Sequence, residues 1–127
     1  MKRPLIVVLA VLMTLVATGA SAIGLRRSEA AIRESIFSLT PLGSSSDVVL
    51  ALVKKEGWKS DGFNSRSGFL KQPPSGKSEV VGVAHIQAAL GHHWTFPFLT
   101  TDVAAYWGFD KDGRLIEVWV WKTTDAP

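Results

Sequence analysis

Apolar residues along this chain change their spacing twice. An apolar run from Leu5 to Ala17 gives way to helical spacing, and from Gly68 onward the alternation is that of strands. Ile32 and Ile36 stand four apart with Arg33, Glu34 and Ser35 between them, which predicts a short amphipathic helix over 28–38 with Ser28 as its cap. Thr40-Pro41-Leu42-Gly43 breaks the chain. A second helix is predicted from Ser44, where Ser44 caps, Asp47 complements the dipole, and Val48, Ala51, Leu52 and Lys55 share a face. Lys54, Lys55 and Gly57 close it, and a left-handed Gly57 returns Trp58 onto Val53.

Lys59 to Arg66 is polar and predicts a loop. Strands are expected at Gly68–Gln72, Glu79–Leu90, Val103–Phe109 and Leu115–Lys122. Pro73-Pro74-Ser75-Gly76 is a turn, and Gly91–Thr100 is a loop or bent strand end. Asp110-Lys111-Asp112-Gly113 is a hairpin signal. Helices grouped before strands imply an α+β fold, with two N-terminal helices packed on one face of a four-stranded antiparallel sheet. The expected division is a segment over 1–22, a short helix and linker over 23–43, and the α+β domain over 44–127.

The last hairpin sorts its side chains by parity. A two- or four-residue loop places Ala105, Trp107, Phe109, Ile116, Val118 and Val120 on one face, and Ala104, Tyr106, Leu115, Glu117, Trp119 and Trp121 on the other. A three-residue loop would exchange the faces. The first set is wholly apolar and makes the natural core. The second leaves Tyr106, Trp119 and Trp121 around Glu117, the composition of a protein recognition patch, with Trp94 and Phe96 as its rim. Alternatively, a loop such as Gly91–Thr100, with Trp94, Phe96 and Phe98, folds over that face and buries it.

Composition alters this picture mainly at the N-terminus. The chain has 127 residues, a net charge of +3 and no cysteine, enough for one small domain and unsuited to a disulfide scaffold, a thiol nucleophile or a cysteine-based zinc site. Lys2 and Arg3, the apolar run, and Ala20-Ser21-Ala22 are the three parts of a secretory signal peptide, with cleavage expected after Ala22. A retained membrane anchor is the alternative. Cleavage leaves 12 basic and 11 acidic residues, so the basic character largely disappears. The expected location is periplasmic or secreted.

Candidate chemistry is sparse. His85, His92 and His93 are the three histidines, and the adjacent pair points to opposite sides of an extended chain, so no metal site is assigned. Asp110 and Asp112 have calcium-loop spacing without the remaining ligands, and turn chemistry explains them. Ser44-Ser45-Ser46 lacks a nucleophile elbow and suits capping. Lys54, Lys55 and Lys59 complement a helix end, with no phosphate loop or nucleic-acid stripe. No catalytic residue and no cofactor is assigned.

The stretch Pro41-Leu42-Gly43-Ser44-Ser45-Ser46-Asp47-Val48, the Gly57-Trp58 helix end, and Trp107-Gly108-Phe109-Asp110-Lys111-Asp112-Gly113-Arg114-Leu115-Ile116-Glu117-Val118 resemble the SmpA/OmlA (BamE-like) group of small envelope proteins. The chain is also similar to the broader architecture of β-lactamase inhibitor proteins. The resemblance spans roughly residues 40–122 and implies an α+β domain of the bacterial envelope that binds other proteins. Members of the outer-membrane assembly machinery carry a lipidated cysteine after the signal, and this chain has none. The expected function is an exported protein-binding module with another envelope protein as partner. A membrane is a partner only if the N-terminal segment is retained. The alternatives are an inhibitor that inserts a loop into a hydrolase, and a histidine-based metal-binding protein.

Overall fold

A computed structural model describes residues 23–125; the expected signal peptide over 1–22 lies outside the described residues. Two helices are followed by six strands: α1 (Glu29–Leu39), α2 (Ser46–Glu56), β1 (Lys59–Asn64), β2 (Phe69–Lys71), β3 (Glu79–Val81), β4 (Ala84–Thr95), β5 (Leu99–Phe109) and β6 (Leu115–Asp125). The main sheet is antiparallel in the order β1-β4-β5-β6, and β2 and β3 form a separate two-stranded hairpin. The fold is α+β, as the spacing predicts.

The helices begin and end by local chemistry. Ser28 caps α1 by accepting the Ala31 N–H at 3.1 Å, and Ile32 and Ile36 are fully buried. The cap of α2 is Ser45, one residue later than expected, while the Ser44 hydroxyl turns back to donate to the Pro41 carbonyl. That shift moves the buried stripe to Val49, Leu52 and Val53, leaving Val48 and Ala51 exposed. Gly57 takes the left-handed conformation at φ +70, the Trp58 N–H reaches the Val53 carbonyl at 3.0 Å, and the Gly57 N–H reaches that of Lys54.

Both helices cover one face of the sheet. Ile32, Ile36, Val49 and Val53 join Ile86, Ala105, Trp107, Phe109, Val118 and Val120 in one core, so α1 belongs to the same packed unit as the later residues. Trp107 is its largest member. Its indole N–H donates to the Thr40 hydroxyl at 3.2 Å, which donates in turn to the Ile36 carbonyl at 2.9 Å, so neither buried polar group goes unpaired. Arg33 bends around the free edge at β6, donating to the Val118 carbonyl at 2.7 Å, and so blunts an edge open to further pairing.

Three strand expectations change. Lys59–Asn64 is the edge strand β1 and not a loop; its polar sequence pairs with β4 through an irregularity between Ser60 and Phe63. The expected single strand over 79–90 is divided at Gly82-Val83, and its second part runs on to Thr95. The third concerns the last hairpin. The Asp110 N–H bonds the Arg114 carbonyl, closing a three-residue loop, and Asp110 Oδ1 accepts from the N–H groups of Asp112 and Arg114. The register shifts by one between Gly108 and Phe109, with Ile116 as the extra residue. Leu115 is therefore buried and Ile116 exposed, the reverse of expectation, while every assignment from Ala104 to Trp107 and from Glu117 to Trp121 stands.

Candidate functional site

The face of the sheet away from the helices has two unlike halves. Near the β5–β6 turn, the small hairpin of β2 and β3 lies across it. Phe69 and Val81 point down and are buried; the Phe69 ring sits 5.5 Å from that of Tyr106. Gly108 makes this approach possible, because a Cβ there would stand 2.9 Å from Val81 Cγ1 and 3.0 Å from Phe69 Cε1. Lys71 Nζ donates to Glu117 Oε1 at 2.6 Å and lies 5.0 Å from the centre of the Trp119 ring. Arg33 approaches the same carboxylate from the edge at 3.8 Å. Burial raises the pKa of Tyr106 above its ordinary value of 10.0.

Tyr106, Glu117 and Trp119 therefore do not form an open patch, contrary to the sequence expectation. The cover is the β2–β3 hairpin and not Gly91–Thr100. The reason is topological: Phe69–Lys71 is not a strand of the main sheet, so it is free to fold over it. Trp119 Nε1 is buried beneath this cover without a hydrogen-bond partner in the protein.

The other half of the face is open. Register places Trp94, His92, Asp102, Ala104 and Trp121 on this side, with His92 directly opposite Asp102 and Ala104 opposite Trp121. Trp94 is 64% exposed, His92 and Asp102 are exposed, and Trp121 is half-buried. Of the expected binding residues, the exposed Trp94 and the half-buried Trp121 lie on this half of the face, two strands and four rungs apart. Phe96 lies beyond them at the apex of the β4–β5 hairpin, 93% exposed, with Phe98 beside it at 74%.

The histidines are dispersed. His85 Nδ1 is 2.7 Å from the Ser67 carbonyl, while His92 and His93 lie on opposite faces of β4. Among the described residues no group of three or more His, Cys, Asp or Glu could hold a metal ion. An open cleft of about 490 Å³ along β1 and β4 is lined by Asp61, Phe63, Asn64, Ser65, Arg66, His85 and Gln87. The sequence does not signal this cleft, because its wall is the strand read as a loop. None of its side chains forms a nucleophile and base pair.

The fold and site define a small α+β domain that shields one half of its outer sheet face and presents the other. The chain matches no protein-family model, no curated protein and no solved structure.

Proposed function

We propose that this protein is an exported, non-catalytic binding module of the bacterial envelope, and that its partner is another envelope protein. The contact surface in this reading is the open half of the outer sheet face, centred on Trp121 and Trp94 with Asp102 and His92 between them. The observation that carries it is the contrast within one face: aromatic side chains near the β5–β6 turn are packed under the protein's own hairpin, whereas farther along Trp94 is exposed, with the half-buried Trp121 on the same side. Large rings interleaved with one acid and one imidazole are the composition of a recognition surface, able to supply both desolvation and orientation. The N-terminal run with its Ala20-Ser21-Ala22 ending supports export, and the resemblance to SmpA/OmlA proteins supports an envelope partner.

The test is affinity capture from envelope extract by wild-type protein and by Trp121→Ser. The expected result is that a stoichiometric protein partner is lost with the substitution, while the melting temperature falls by only a few degrees. Unchanged capture by Trp121→Ser, or no partner for the wild type, overturns the reading.

A further inference from the structure

We infer that the apex of the β4–β5 hairpin, Phe96-Pro97-Phe98, docks into the interfacial layer of a lipid bilayer. This goes beyond the protein contact at Trp121 and shares only Trp94 with it.

Geometry makes the apex a projection. The pairing of β1 with β4 stops at Ala89, so farther out β4 runs on with β5 and β6 only, and the last rung to β6 is Thr100 opposite Asp125. Among the described residues, the turn beyond Thr95 and Leu99 has no strand beside it. Phe96 is 93% exposed and Phe98 74%, the two most exposed of the large apolar side chains among the described residues.

Chemistry makes it suitable for lipid. From Trp94 to Thr101 the sequence is Trp-Thr-Phe-Pro-Phe-Leu-Thr-Thr, with no ionisable side chain. Entry of the turn beyond Thr95 and Leu99 therefore desolvates no charge, and Trp94, one rung back on the rung of Asp125, is the residue type that favours the interface itself. A protein cleft is the competing occupant. Two rings supply on the order of 300 Å² when each is taken at 150–250 Å² and corrected for its exposure. That is well under the roughly 800 Å² per side of a stable protein complex, whereas a bilayer requires no complementary partner.

The route of the chain agrees. Ile23 and Leu25 pack against the core, and Leu25 Cδ1 lies 2.9 Å from where a Cβ on Gly91 would stand, in the outer half of the same hairpin. The start of the described chain therefore lies beside the half of the hairpin that carries the apex.

The chain has no cysteine, so a single Phe98→Cys carries one environment-sensitive fluorophore at the apex, and Ser75→Cys carries it on the β2–β3 turn. The protein, as the exporting cell leaves it, is mixed with vesicles of phosphatidylcholine, and separately with phosphatidylethanolamine and phosphatidylglycerol. The expected result is a severalfold rise and blue shift of the apex label with both vesicles, quenched by a nitroxide placed near the headgroup. The Ser75→Cys label should not respond, and adding Phe96→Ser should remove most of the apex signal. An apex label that stays aqueous, that responds only to anionic vesicles, or that responds only to solubilised envelope protein overturns the inference. Trp121→Ser is expected to leave the apex signal intact, so this inference and the protein contact fail separately.

Discussion

The covered and open halves of the outer sheet face are built from similar residues and differ in what lies over them. Tyr106 and Trp119 belong to the same alternating pattern as Trp121 and face the same way, yet the hairpin sets Phe69 against Tyr106 and Lys71 over Trp119, while among the described residues Trp121 takes no such ring or cation contact. Aromatic content therefore does not distinguish core from surface on this face. What distinguishes them is whether Gly108 admits a covering segment and whether Glu117 offers it an ionic anchor. On the open half, Asp102 and His92 occupy the corresponding positions, and no element of the described chain crosses them.

The comparison can be broken most forcefully by removing its wedge. Phe69 is 2% exposed, so Phe69→Ala is expected to cost about 3–5 kcal/mol if the hairpin cannot collapse onto the space left behind. Urea denaturation measures this. A loss under about 1 kcal/mol would mean that the hairpin rests on the sheet without stabilising it. Gly108→Ala attacks the same contact from below. Its methyl would crowd both Val81 and Phe69, for an expected cost of about 1–3 kcal/mol and increased hydrogen exchange in β2 and β3. Ala89→Val, which adds apolar bulk at an exposed position, supplies a control away from the hairpin.

The smallest effect is a pH dependence. Burial raises the Tyr106 pKa, so its contribution to stability is fully present below the unfolded value near 10.0. It is lost as pH rises through the higher folded value. Stability of the wild type should therefore fall more steeply above pH 10 than that of Tyr106→Phe. Parallel curves would show that the phenol is solvated and the cover is loose.

Much of the fold was legible because its signals are local. Ser28, Gly57 and the Ile32/Ile36 pair specify their helix ends and faces through contacts within a few residues. The strand parity around Trp107 and Val118 was equally readable, since alternation is intrinsic to the strand. Leu115 and Ile116 were misassigned because a three-residue turn and a compensating bulge cancel over most of the hairpin and leave only the rungs nearest the turn reversed. β1 was missed because Lys59–Asn64 has no alternating pattern of its own; pairing to β4 makes it a strand. The candidate site was half legible. Trp94 and Phe96 are exposed, whereas Tyr106, Glu117, Trp119 and Trp121 are all half-buried, the first three packed against the β2–β3 hairpin.

By itself the sequence determined the α+β class, the faces on which the aromatic residues lie, and the neutral, ring-bearing segment that became the hairpin apex. These follow from periodicity and from turn and cap chemistry, which act over a few residues. Only the tertiary structure decided which aromatics are shielded. That outcome depends on a contact between Phe69 and Tyr106 and an ion pair between Lys71 and Glu117, partners separated by dozens of residues and joined by no pattern that the chain displays along its length.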